Sequence, residues 1–513
     1  ATNKPADRRE RMQALKDNDQ EKFIGAYVKE PIVGKYDWIY DLDLTSLYPS
    51  IIMTLNISPE TKIGKISNWD AEQYIKGEEI TYKLKGKDGD EYEYNRQELA
   101  DVIKDSNLGV AANGVLYMQD KPGLIADILN TWFNKRVEYR KLEKKYGEEK
   151  NTELYEFYGK RQHVQKILLN SMYGVLGLPA FRFYDVDNAE AVTLTGQVVI
   201  KKTAEMANRK YWKELGTTDD YNVYIDTDSI YMMAEPLVKH RYPEYKTFDE
   251  KRMAVEVDNI ATETQTFLNS FYDLLAERFF FIPKDKHRFE IKKEYISKAG
   301  FWVAKKRYAQ WMILKNGIPC DKLDVKGLDV VRSSFPKAFQ KFMSTMLKDI
   351  LMGKDNEYID DTLLTFKKSL PTLPVNTIAK GGALKELSKY DNGSWKTGDA
   401  VANFEKGTPA HVKAGITYNR LLKFFNCPYK HEPIRDGDKV KWVYLKDNPL
   451  GLETVAFKDY NDPKEIMDFV ETYVDRNKIF EAELENKLDD FYNALKWDKV
   501  TADTKTAKKF FAF

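Results

Sequence analysis

The chain has two cysteines in 513 residues, Cys320 and Cys427, far apart and without metal-ligand spacing. That excludes a disulfide framework and a cysteine zinc site, and it fits a reducing, cytoplasmic setting. Its five histidines form no H-x-x-x-H pair, so hydrolytic zinc chemistry has no support. No apolar run reaches the length of a membrane span, the N-terminal region is charged rather than signal-like, and no membrane association is expected. There is no internal repeat and no low-complexity segment. An excess of one charge is also missing: 81 basic residues stand against 80 acidic ones, a net charge of +1. What remains is a long chain, 42% hydrophobic and 13% aromatic, that needs about two to four domains to bury its core.

Within that neutral balance the charges are unevenly spread. Residues 298–315, KAGFWVAKKRYAQWMILK, carry five basic residues and no acidic one. The stretch from Lys380 to Lys423 mixes Lys and Arg with Gly, Ser and Thr, groups that hydrogen-bond phosphates. Carboxylates occur in two unusual settings. In YIDTDSIY, residues 224–231, Asp226 and Asp228 interrupt a run of aromatic and β-branched residues. Strand alternation puts residues i and i+2 on one side, where two carboxylates raise each other's pKa unless a cation lies between them. A surface hairpin with Asp-Thr-Asp-Ser as its turn is the plainer reading of those residues alone. In DLDLTSLYPSII, residues 41–52, Asp43 ends a second β-rich run and precedes a segment dense in backbone donors.

Local pattern gives an expected element order. Residues 1–20 read as a polar arm or frayed helix, and Gly25 to Leu55 as β-rich, turning at Asn56–Pro59. A polar region of strands and turns follows, with K-D-G-D as a hairpin signal. From Gly123 the period becomes helical: two long segments divided near Gly147 predict an antiparallel helical hairpin. Further helices are expected over 193–215, 249–280 and 463–496. Strands are expected around Asp226 and from Phe289 to Lys315, and a helical, basic region after Gly327 with Gly-rich loops at 381–382 and 393–407.

Taken together, DLTSLYPSII and YIDTDSIY resemble motifs A and C of the family B DNA polymerases. KILLNSMYGVLG, residues 166–177, is similar to that family's motif B and lies between them in the same order. FWVAKKRYA, residues 301–309, resembles its Lys-Lys-Arg-Tyr element. AYVKEPI, NISPET and KGLDVVRSSFPKAFQK resemble the T-even-type bacteriophage replicative polymerases in particular.

The resemblance implies an α+β, right-hand polymerase with an antiparallel-sheet palm, helical-hairpin fingers and a mainly helical thumb. Its parts would be an arm at 1–20, palm at 21–122 and 179–328, fingers at 123–178, thumb at 329–506 and a tail at 507–513. It implies template- and primer-dependent DNA synthesis from dNTPs, with two Mg²⁺ ions (Mn²⁺ as a substitute) held by Asp43, Asp228 and the carbonyl of Leu44, and Asp226 beside them in a lesser role. The incoming nucleotide would meet Ser46, Leu47, Tyr48, Arg136, Arg140, Lys166, Asn170 and Tyr173, with Lys166 catalytic and Tyr48 as the gate against a 2′-hydroxyl. On a helix, Lys166, Asn170 and Tyr173 share one face, and Arg136 and Arg140 share another. Primer-template DNA would meet Gly174, Thr227, Lys305, Lys306, Arg307 and Tyr308, where strand alternation sets Lys306 and Tyr308 on one side. Phe510, Phe511 and Phe513 resemble a tail that binds a sliding clamp. The 42 residues before Asp43 lead to the expectation of synthesis without 3′–5′ proofreading, alongside a separate exonuclease-bearing subunit and, if phage-encoded, in a bacterial cytoplasm. The alternative is a catalytically silent DNA-binding scaffold subunit of a replisome, which has no use for Asp43, Asp228, Lys166 and Tyr173 together.

Overall fold

The computed structural model describes residues 24–85, 90–179, 181–391, 404–427 and 431–498. The polar arm at 1–20 and the aromatic tail at 507–513 lie outside the described residues. The chain forms two compact units. The first holds the residues up to Ile32, Asp37–Ser297 and Ile313–Cys320; the second holds Val33–Tyr36, Lys298–Met312 and Asp321 onward. Among the described residues no helix is long and apolar enough to cross a membrane.

In the first unit, strand β1 (Gly34–Leu44) runs into helix α1 (Leu47–Leu55). The expectation of a β-rich run to Leu55 is therefore corrected at Leu47: Leu47, Ile51 and Leu55 fall four apart, and all three are buried. Strands β2 (Lys62–Ile66), β3 (Tyr82–Lys85), β4 (Glu91–Tyr94), β5 (Leu108–Val110) and β6 (Val115–Met118) form a five-stranded sheet, with helices α2 (Ala71–Lys76) and α3 (Arg96–Asp105) between them. β3 and β4 pair antiparallel, as the hairpin signal between them predicts.

The predicted helical hairpin is α4 (Leu124–Glu148) and α5 (Thr152–Leu176), each about 37 Å long at 1.5 Å per residue. Both helices are largely polar and bury only their roots, Ile125, Ala126 and Leu129 on α4 and Leu169 and Leu176 on α5. Nearer the tip, Tyr146 and Tyr158 stack with centroids 5.5 Å apart. Helix α6 (Val186–Leu215) follows, started by Asp185, whose carboxylate accepts from Asn188 N, and stopped by Gly216 at φ 69.

Strands β7 (Asn222–Asp226) and β8 (Ser229–Met233) then form an antiparallel hairpin, and β8 pairs with β1, setting Asp43 opposite Ser229. After helices α7 (Glu235–Arg241) and α8 (Glu250–Leu275) come β9 (Ile291–Ala304), β10 (Arg307–Lys315) and β11 (Ile318–Lys326). The six-stranded sheet has the order β11-β10-β9-β1-β8-β7. One face of β1 is sealed by α6 and α8: Tyr40, fully buried, shares its hydroxyl with Tyr211 (3.0 Å) and Thr264 (3.1 Å). Alternation then turns Asp41 and Asp43 to the opposite face.

The second unit is mainly helical, as expected after Gly327, around Phe339, Phe342, Phe366 and Phe480, with Phe342 and Phe366 stacked at 4.2 Å. It also contains a three-stranded sheet of β12 (Lys380–Ala383), β13 (Lys439–Tyr444) and β14 (Thr454–Phe457). Residues 381–382 are thus a strand and not a loop, and glycine there admits close neighbours: a Cβ on Gly381 would lie 3.0 Å from Ser334 Cα. The single helix expected over 463–496 is broken at Val474–Asp475, where Lys446 N bonds to Tyr473 O and the Asp475 side chain caps a new helix.

Candidate active site

The two motif aspartates do not sit in one strand. Asp226 ends β7 and Asp228 lies in the two-residue turn before β8, with Thr227 left-handed at φ 64 and Asp228 N donating to Asp226 O at 2.7 Å. The hairpin reading of Asp-Thr-Asp-Ser is therefore the correct local geometry, and the i, i+2 alternation is overturned. The strands of the hairpin are buried, however, and its turn is half-buried. Leu44 N donates to Asp228 O at 2.8 Å, fastening the turn to the end of β1, and Thr227 N donates to Tyr27 O at 3.1 Å. The segment AYVKEPI lies along β7, with Ile32 N on Val223 O.

This fastening brings Asp43 and Asp228 to one open cavity of about 570 Å³. Thr45, Ser46 and Glu294 line it beside them; Arg136 and Arg140 reach it from α4, and Gln162, His163, Lys166 and Asn170 from α5. Lys292, Lys293, Lys315 and Asn316 complete the lining. Of the residues expected at the nucleotide, Ser46, Arg136, Arg140, Lys166 and Asn170 converge here. Tyr48 and Tyr173 pack on each other, with ring centroids 4.5 Å apart. Leu47 is buried at the start of α1, Gly174 has nothing within 4 Å of where its Cβ would be, and Asp226 is not among the lining residues.

The electrostatics are those of a site with one floor and one wall of opposite sign. Burial pushes the Asp43 carboxyl up to about 8, helped by Asp228 and Glu294 and opposed by Lys166. Burial likewise pushes Asp228 up to about 6, with Asp226 and Glu294 adding to the rise and its own backbone N–H and Lys166 opposing it. On the wall, Arg136 is half-buried and held below its usual range by burial and by Arg140. Its Nη1 donates to Ser46 Oγ at 3.3 Å, while its Nε is buried with no hydrogen-bond partner. A cation would relieve the floor and an anion the wall.

Two acidic residues that sequence reasoning left unassigned bear on this floor, Glu294 in the lining and Asp41 behind it beside Asp43. Asp41, 2% exposed, accepts from Tyr295 N at 2.5 Å and is raised well above the carboxylate range by burial and Glu294. Its signal was available, since it stands two before Asp43 on β1. Glu294 has no local signal, because only the pairing of β9 with β1 brings it there. Gln162, by contrast, is legible as the next residue four back from Lys166. Among the described residues no three His, Cys, Asp or Glu side chains close into a cation cage. Asp43 and Asp228 instead make an open pair, which suits a divalent cation that draws most of its ligands from outside the protein.

The raised carboxyls have a consequence for stability. A carboxyl held above its unfolded value of about 4 leaves its stability intact below that pH and loses it as pH rises through the folded value. Asp43→Asn removes that loss. In metal-free buffer the variant is expected to melt several degrees above the parent at pH 8 and level with it near pH 4, by calorimetry; an equal difference at both pH values contradicts the assignment.

The Lys305–Tyr308 segment lies in the second unit. Lys305 and Lys306 occupy the turn between β9 and β10, with Lys306 left-handed at φ 59, so the expected alternation of Lys306 with Tyr308 along one strand does not hold. Gly327, at φ 64, is required beside it: a Cβ there would meet the Lys306 carbonyl oxygen at 1.8 Å. Arg307 pairs with Asp490 at 2.7 Å, and Tyr308 is buried against Trp302, stacked at 5.9 Å. Phe510, Phe511 and Phe513 lie outside the described residues.

Residues 7–241 match the sequence profile of DNA polymerase family B. The chain is 27% identical to the DNA-directed DNA polymerase of Enterobacteria phage T4, over 90% of this chain and 54% of that protein. It is 26% identical to the DNA-directed DNA polymerase of Escherichia phage RB69, over 93% of this chain and 55% of that one. DNA polymerase 1 of Pyrococcus abyssi (strain GE5 / Orsay) is 28% identical over 94% and 48%. The chain therefore spans about half the length of the curated relatives it matches.

Proposed function

From a chain related to the family B DNA polymerases, we propose template-directed DNA synthesis, extending a primer with dNTPs at the cavity of Asp43 and Asp228. The observation that carries this reading is the opposition of two half-buried, raised carboxyls to Arg136, Arg140 and Lys166 around one cavity. A silent scaffold gains nothing from holding such groups out of water. On this reading the sheet of β1, β7 and β8 is the palm, the α4–α5 hairpin the fingers and the helices after Gly327 the thumb.

Asp43 and Asp228, with the Leu44 carbonyl, would hold two Mg²⁺ ions. Such ions would supply positive charge to the primer 3′-hydroxyl and to the triphosphate. The protein's own part is to orient and to balance charge. Arg136 and Arg140 grip the phosphates as a pair, and the unpartnered Arg136 Nε gains an acceptor. Lys166 and Asn170, one turn apart on α5, reach the same phosphates, and Lys166 meets the charge that builds on the leaving group. Amides at the start of α1 after Ser46 offer further donors. Lys306 and Tyr308 at the minor groove, with Gly174, Thr227, Lys305 and Arg307 along the DNA, belong to the same proposal. So does a clamp bound through Phe510, Phe511 and Phe513.

Primer extension tests the reading directly: the chain, a primed template, dNTPs and Mg²⁺ are expected to yield elongated product, and binding without elongation would favour the scaffold. Tyr48 is tested in the same assay. Its ring packs, tilted, against that of Tyr173, and on this reading Tyr48→Ala opens the space beside C2′ of the incoming sugar. The preference for dCTP over CTP is expected to fall on the order of 100-fold. Equal preference in variant and parent removes Tyr48 from the gate.

A further inference from the structure

Gly196 sits in the interior of α6, where its backbone is ordinary helix, so no left-handed conformation calls for glycine. Glycine weakens a helix interior relative to alanine, so its presence needs another cause. The cause is space. A Cβ at Gly196 would meet Tyr48 Cε1 at 3.1 Å, tighter than an ordinary contact, and Ile51 Cδ1 and Leu47 Cδ2 at 3.5 and 3.6 Å. The tight contact falls on the ring alone.

The helix cannot retreat from that ring. The Thr195 hydroxyl accepts from Ala112 N at 3.0 Å, Thr193 donates to Ile24 O at 2.7 Å and Gln197 donates to Gly25 O at 2.8 Å. These bonds hold α6 on either side of Gly196, which is itself buried. Tyr48 is only half-buried, with Tyr173 beside it. A methyl group entering at Gly196 therefore displaces the ring by a few tenths of an ångström from the position it now holds.

We propose that Gly196 is a positioning residue for the nucleotide sugar: the absence of its side chain is the seat that holds the Tyr48 ring back from the site. The proposal rests on the reading of Tyr48 as the gate and extends it to the helix behind.

Single-nucleotide incorporation is measured for the full chain, Gly196→Ala, Tyr48→Ala and the double variant, with dCTP and CTP, alongside melting temperatures. Gly196→Ala is expected to melt no lower than the parent and to raise the KM for dCTP on the order of three- to tenfold, because small misplacements at a reacting centre cost rate and binding steeply. In the Tyr48→Ala background the same substitution is expected to change the dCTP KM less than twofold, since the ring through which it acts is gone. An equal effect in both backgrounds, or no effect in the parent background, overturns the proposal. If Tyr48→Ala leaves the dCTP-to-CTP preference intact, the gate reading fails instead, and the coupling between the two positions still reports whether Gly196 seats the ring.

Discussion

Primer extension by the Asp228→Ala chain is expected to fall by on the order of 10³-fold or more, with primer-template binding nearly unchanged. The size follows from the role: a cation clamp on the reacting oxygens is worth several kcal/mol of barrier, and each 1.36 kcal/mol is a factor of ten. Alanine at 228 removes one of the two carboxylates proposed to hold it, and no closed cage among the described residues stands in reserve. The fold should tolerate the change. The turn is fastened by backbone bonds, Leu44 N to Asp228 O and Asp228 N to Asp226 O, which alanine keeps, and it relieves a carboxyl that burial pushes up. DNA affinity, dominated by contacts to phosphates, does not depend on this acid. Single-turnover extension beside a filter-binding isotherm separates the two. Ordinary extension by the variant would sink the metal assignment; loss of binding and synthesis together would place Asp228 in the architecture instead.

Lys166→Ala is expected to lower the maximal incorporation rate on the order of 10²–10³-fold, the cost of removing a preorganised charge from a site where charge develops. Lys166 stands across the cavity from Asp43 and Asp228 and opposes the rise of both carboxyls. With Arg136 and Arg140 still lining the cavity, ground-state binding of the triphosphate is expected to weaken far less than the rate. The measurement is a pre-steady-state titration that resolves rate from dissociation constant. An unchanged rate with weaker nucleotide binding would reduce Lys166 to a binding residue. Lys166→Arg should recover part of the rate, because charge is kept while its position and geometry change.

The chemistry of this chain is legible in its primary structure wherever the needed pattern is local. A helix repeats every 3.6 residues, so the shared faces of Arg136 with Arg140 and of Lys166 with Asn170, and the α4–α5 hairpin itself, follow from the sequence. Asp43 and Asp228 were marked only by β-forming neighbours, which an ordinary turn aspartate also has; the resemblance to motifs A and C, not local pattern, singled them out. Local pattern went wrong where a turn interrupts a β-rich run. Alternation presumes an unbroken strand, yet Thr227 and Lys306 both take left-handed φ and reverse the chain there. Other features belong to the tertiary structure alone. Asp41 meets Tyr295 N across 254 residues, and Glu294 joins the floor only because β9 is ordered beside β1. Gly196 says nothing in sequence, since the space it leaves is defined by a ring on another helix, and a packing contact between distant segments has no local period to betray it.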